Sequence, residues 1–136
     1  MNQAELIKHA VSAMKKAYAP YSNFCVGAAL LTKDNKVYTG CNIENASYSP
    51  TICAERCAFS TAISQGNREF SAIAVVGGPK GVVTKAITPC GVCRQFMVEF
   101  CDSNFKVICW DGKDITEYTL EELLPNSFSN HDISEG

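Results

Sequence analysis

Two short stretches of the chain carry residues able to do chemistry together: Cys53-Ala54-Glu55 and Pro89-Cys90-Gly91-Val92-Cys93. Each opens a run of helix-forming residues. Free backbone N–H groups and the helix dipole at such a start favour a thiolate. Three thiolates converging from two helix starts suit zinc, which accepts sulfur ligands in tetrahedral geometry. A catalytic zinc characteristically has three protein ligands and leaves the fourth position to water. Glu55, two residues after a ligand, can lie beside that water without binding the metal and move its proton as a general acid and base.

Other readings of these residues fit less of the pattern. A lone Cys-x-x-Cys also fits a redox dithiol or half of a structural zinc site, but a dithiol gives no work to Cys53 or Glu55. Cys57 could supply a fourth thiolate, yet it lies a full turn deeper in the helix, where small apolar residues belong to the core. A zinc-stabilised binding module without activity leaves Glu55 idle. Cys25, Cys41, Cys101 and Cys109 have no paired spacing and read as buried free thiols. His9 and His131 sit far from any ligand pattern and read as surface residues.

The elements that position these groups can be traced by periodicity. Residues 4–17 repeat apolar side chains at helical spacing (Leu6, Ile7, Ala10, Val11, Met14, Ala17), and Pro20 breaks the pattern. Apolar runs at 25–32 and 36–41 flank Lys33-Asp34-Asn35-Lys36, the form of a hairpin. Gly27, Ala28 and Ala29 leave room for something to pack closely on the first of these strands. A helix is expected over 52–65, stopped by Gly66. A buried strand over 70–76 closes at Gly77-Gly78-Pro79. Residues 91–101 read as a helix offering Val92, Phe96, Val98 and Phe100 to a core. Strands at 105–110 and 115–118 flank Asp111-Gly112, and Thr119-Leu120-Glu121-Glu122 has capping-box form before Pro125 ends a short helix. The tail from Asn126 is polar apart from Phe128 and Ile133. Five strands and interleaved helices predict an α/β fold: a three-layer α-β-α sandwich around a mixed sheet, in one domain spanning 1–136.

Composition narrows the partners. The chain has 136 residues, 12 basic and 14 acidic side chains and a formal net charge of −2, so it lacks the cationic surplus of a protein that clamps a polynucleotide. Neither a signal peptide nor a membrane-length apolar run is visible. The expectation is a cytoplasmic protein with a small-molecule substrate, no nucleic acid and no membrane partner, whose eight cysteines are free thiols or metal ligands rather than disulfides.

The chain resembles the small, zinc-dependent, homotetrameric cytidine deaminase family along nearly its whole length. The resemblance rests on five ordered motifs: Ala19-Pro-Tyr-Ser-Asn-Phe-Cys-Val-Gly-Ala-Ala29, Gly40-Cys-Asn-Ile-Glu-Asn-Ala46, Cys53-Ala-Glu-Arg56, Pro89-Cys-Gly-Val-Cys-Arg-Gln95 and Glu122-Leu-Leu-Pro125. It implies hydrolysis of cytidine and deoxycytidine to uridine and deoxyuridine with release of ammonia. It also implies one zinc per subunit on Cys53, Cys90 and Cys93, with Glu55 moving a proton from water to ring N3 and on toward the departing amine.

By the same resemblance Asn42 and Glu44 hold ribose hydroxyls, and Phe24 lines the nucleoside pocket. Main-chain groups of Ala54 and Thr88 read the pyrimidine O2 and amino group. Phe128 is either an aromatic lent to a neighbouring subunit's pocket or an ordinary anchor of the C-terminus, and Tyr48 can also approach a neighbour's site. Three thiolates load the metal with negative charge, which Arg56 and Arg94 are placed to offset; Arg56 in particular is expected to donate to ligand sulfurs. Deamination of a related aminopyrimidine nucleoside such as blasticidin S is the nearest alternative. Deamination of polynucleotide cytosine is disfavoured by the absence of a basic channel.

Overall fold

The structure, a computed structural model, describes residues 1–134. In chain order it contains α1 (Gln3–Met14), β1 (Phe24–Thr32), β2 (Val37–Cys41), α2 (Ala54–Ser64), β3 (Phe70–Pro79), α3 (Gly91–Phe100), β4 (Lys106–Trp110), β5 (Ile115–Thr119), α4 (Leu120–Leu123) and α5 (Asn130–Ser134). The five strands form one sheet in the order β2-β1-β3-β4-β5. β3 and β4 run parallel, joined by α3 as the crossover such a pair requires, and the other neighbours are antiparallel.

Side chains of successive strand residues leave opposite faces, so one sheet serves two cores. Ala29, Ala74, Val76 and Ile108 meet Leu6, Ile7, Ala10 and Met14 of α1 on one face. Leu30, Ile73, Val75 and Val107 meet Phe59 and Ala62 of α2 and Cys93 and Met97 of α3 on the other. Close approach depends on glycine. A Cβ on Gly27 would lie 2.0 Å from the Ala10 carbonyl oxygen, and one on Gly40 would lie 2.5 Å from both the Ala54 oxygen and the Ala58 nitrogen. Helix α1 therefore rests almost backbone to backbone on β1, as the small residues there predicted, and the first turn of α2 rests likewise on β2.

Several sequence expectations need correction. β3 continues through Gly77, Gly78 and Pro79, because those residues pair with Val26, Cys25 and Phe24 of β1. On α3, Val92 is 62% exposed, whereas Met97, absent from the expected core, is fully buried with Cys93 four residues before it. Within the tail, for which no element was expected, Asn130–Ser134 form a helical turn, α5. Cys25, Cys41, Cys57 and Cys101 are only partly buried, leaving Cys109 as the one fully buried thiol outside the zinc motif. The Thr119–Glu122 capping box is present in full, and His9 and His131 lie on the surface. Among the described residues no helix is long and apolar enough to cross a membrane.

The antiparallel order gives the sheet two distinct ends. The start of β1, the end of β2 and the end of β3 lie together, and from them the chain enters the segments that lead to α2 and α3. The turn at 33–36 and the links 65–69 and 101–105 lie at the opposite end.

Candidate active site

Cys53 and Cys90 occupy equivalent places as N-caps of α2 and α3, both with extended backbone and neither using its side chain to cap the helix. Cys93 is the third residue of α3, so its side chain returns toward the same helix start. The three sulfurs lie within 4.8 Å of one another, and Cys53 Sγ and Cys90 Sγ are 3.9 Å apart. A tetrahedral zinc with bonds of about 2.3 Å needs sulfurs about 3.8 Å apart. The donor set therefore fits zinc in type, number and spacing.

The thiols share charge unevenly. A hydrogen bond from Cys93, assisted by Arg56 and Cys90 against the cost of burial, holds Cys53 down at about 5. The same neighbour relation and burial push Cys93 up. Arg56 Nη2 lies 3.6 Å from Cys53 Sγ and 3.5 Å from the Thr51 carbonyl oxygen, and its Nε is buried without a hydrogen-bond partner. A guanidinium so placed can offset thiolate charge. Arg94 makes different contacts: it donates to the carbonyl oxygens of Pro89 and Leu123, each at 2.6 Å, and to Thr88 Oγ1 at 2.9 Å.

Glu55, the second residue of α2, is only 4% exposed. Burial pushes its carboxyl up to about 7, with the Cys53 charge adding to the rise and its own backbone N–H and Arg56 opposing it. It lines a cavity of about 210 Å³ together with Asn42, Cys53, Ala54, Thr88 and Cys90, and apolar walls come from Val26, Ile52 and Ile87. A carboxylic acid that titrates near neutrality beside three thiols can both take and give a proton.

Of the other residues marked from the sequence, Asn42 is buried at the cavity. Its Oδ1 accepts from Val26 N at 2.9 Å and its Nδ2 donates to Phe24 O at 2.8 Å, leaving one amide hydrogen for a ligand. Glu44 lies in a neighbouring cleft of about 390 Å³ with Tyr21, Ser22, Tyr48 and Thr51. Its carboxylate accepts the N–H groups of Tyr21 and Ser22 and the Ser22 hydroxyl, which hold its pKa below the ordinary range. Thr51 borders both spaces. Phe24 and Phe128 are not among the residues lining either one. Phe128 is 61% exposed, with its carbonyl oxygen held by Gln95 Nε2 at 2.8 Å, and Tyr48 is 71% exposed. Sequence reasoning did not anticipate Ser22, Ile87 or the hydrogen bonds of Arg94, because none of these shows its partner in the local pattern.

Comparison with known proteins agrees with this geometry. Residues 1–109 match the family model described as "Cytidine and deoxycytidylate deaminase zinc-binding region". A cytidine deaminase of Sporosarcina psychrophila is 49% identical over 135 residues, covering 98% of this chain and 96% of that protein. The crystal structure of a cytidine deaminase from Burkholderia pseudomallei superposes with a TM-score of 0.87 at 47% identity, covering 94% of this chain and 100% of the other. A blasticidin-S deaminase of Bacillus cereus is more distant, at 31% identity over 78% of each chain.

Proposed function

The chain belongs to the cytidine and deoxycytidylate deaminase zinc-binding family, and on that premise we propose that it hydrolyses cytidine and deoxycytidine to uridine and deoxyuridine, releasing ammonia. The observation that carries the reading is the buried, near-neutral carboxyl of Glu55 at a cavity whose wall includes Cys53 and Cys90, two of three thiols spaced to match zinc. Cys53, Cys90 and Cys93 hold the ion; when bound, it supplies Lewis acidity that lowers the pKa of a water.

Glu55 carries the protons. It removes one from the attacking water, delivers it to ring N3 as C4 becomes tetrahedral, and relays the next to the exocyclic nitrogen so that it leaves as ammonia. Burial suits it to both tasks, because a carboxyl at its usual pKa would release protons readily but seldom hold one at pH 7. Main-chain groups of Ala54 and Thr88 meet the pyrimidine O2 and amino group. The remaining Asn42 amide hydrogen and the unused lone pairs of Glu44 take ribose hydroxyls. Arg56 tempers the thiolate charge.

The site is completed by neighbouring subunits in a homotetramer. Phe24 lies at the start of β1, Tyr48 borders the Glu44 cleft, and Phe128 is largely exposed and lines neither space, which supports reading it as a residue lent to another subunit. Zinc content, sedimentation and ultraviolet-monitored conversion of cytidine, measured on wild type and Glu55→Ala, test the whole reading. The expected result is an active tetramer with one zinc per chain and a zinc-loaded variant slower by about 10²-fold or more. A fully active monomer would remove the shared site, and an equally active variant would remove Glu55 from the mechanism.

A further inference from the structure

The cavity wall formed by Ile87, Thr88 and Cys90 comes from chain that has no regular structure. Ile87 leans on the core and Pro89 is buried, but the backbone between β3 and α3 joins no strand ladder and no helix. Among the described residues, the only hydrogen bonds reaching residues 83–89 come from one side chain, Arg94. Its Nε donates to Pro89 O and its Nη2 to Thr88 Oγ1, while its Nη1 donates to Leu123 O at the end of α4. The first residues of α3, the wall before it and the C-terminal part of the chain are thus tied at a single guanidinium.

We infer that Arg94 is a positioning residue for the nucleoside, fixing the Thr88 main chain at the cavity by clamping residues 88–89 between α3 and Leu123. The inference rests on reading this cavity as the nucleoside site. A planar guanidinium suits the task because its donors point in fixed, divergent directions and cannot lose their charge. A lysine would keep the charge but could not span the three acceptors. Cys90 is held separately, its carbonyl oxygen accepting from Arg94 N at 3.0 Å as part of α3. Loss of the Arg94 side chain therefore frees the wall while leaving the metal ligands in place. The effect falls on substrate binding more than on the metal or the proton carrier.

The test is Arg94→Gln in the zinc-loaded protein, followed by zinc content, steady-state kinetics with cytidine and the rate of tryptic cleavage after Lys85, which is exposed in the same segment. The expected result is one zinc per chain, a KM raised about tenfold with kcat changed far less, and cleavage after Lys85 faster by about tenfold while lysines and arginines of the helices and the sheet stay resistant. Thr88→Val, which removes one acceptor, moves both readouts in the same direction by a smaller factor, and Thr88→Ser restores them. That pair decides the matter if Arg94→Gln does not fold. Unchanged KM and cleavage, faster cleavage spread over the whole chain, or faster cleavage after Lys85 with unchanged KM would each overturn the inference. Failure of the functional reading shows separately, as wild-type protein that does not turn over cytidine.

Discussion

Replacing Gly40 by alanine tests whether the sheet sets the depth of the active-site helix. The added Cβ would stand 2.5 Å from the Ala54 oxygen and the Ala58 nitrogen and 2.9 Å from Cys57 Cβ. Ordinary contact begins near 3.4 Å, so α2 must recede by about 0.9 Å unless β2 yields. The neighbours are backbone atoms and the Cβ of the first two turns of α2, which cannot rotate aside. Overpacking of this kind costs about 1–3 kcal/mol of stability.

The chemical consequence should be larger than the loss of stability. Cys53 and Glu55 ride on the displaced turn, whereas Cys90 and Cys93 belong to α3 and stay where they are. A shift approaching 1 Å between parts of one site can lower turnover by about 10²-fold. Denaturant unfolding, zinc stoichiometry and kcat/KM for cytidine should therefore all fall in Gly40→Ala. Gly91→Ala is the control, since nothing lies within 4 Å of its added Cβ at the first position of α3. If Gly40→Ala loses stability but keeps wild-type zinc content and kcat/KM, then β2, an edge strand, has bowed outward, and the reasoning about helix depth is wrong.

Two further outcomes are expected. Arg56→Gln should lower kcat more than it raises KM, because the guanidinium lies against Cys53 Sγ and not among the residues lining the cavity; unchanged turnover with zinc retained would count against charge tempering. Thr119→Ala should lower the melting temperature at pH 7, since caps of this kind contribute about 1 kcal/mol. Hydrogen bonds from the Thr119 backbone and hydroxyl hold Glu122 below its usual pKa of 4.5. That part of the stabilisation is complete above 4.5 and is lost as pH falls through the lowered value, so the gap between wild type and variant should narrow in acid. A gap that widens instead would rule out the capping carboxylate as its source.

The motif residues were legible in the sequence because helix starts and Cys-x-x-Cys spacing are local signals. Cys53, Cys90 and Cys93 sit at helix beginnings whichever way the helices pack, and only their meeting required the fold. Features set by a distant partner were harder to read. Gly77, Gly78 and Pro79 look like a turn until β1 is seen to pair with them. Of the residues expected to face the core from α3, Phe96, Val98 and Phe100 do pack against it, partly buried, but Val92 is exposed, and the fully buried stripe is Cys93 with Met97, four apart. Asn42 and Glu44 were marked as ligands of a sugar. They also hold the chain at the start of β1, through Val26, Phe24 and the Tyr21–Ser22 backbone, contacts that no local pattern announces.

The two ends of the sheet have different freedoms. The cavity, the thiols and the segments that frame them crowd the end where β1 begins and β3 finishes. At the other end, residues 33–36 form a fully exposed turn, anchored at its base by Thr32, which pairs with Lys36 through backbone and side chain. Chain length there can change without moving the groups that line the cavity. A spliced-in peptide tag or fluorescent reporter belongs in that turn, at the far end of the sheet from the thiols.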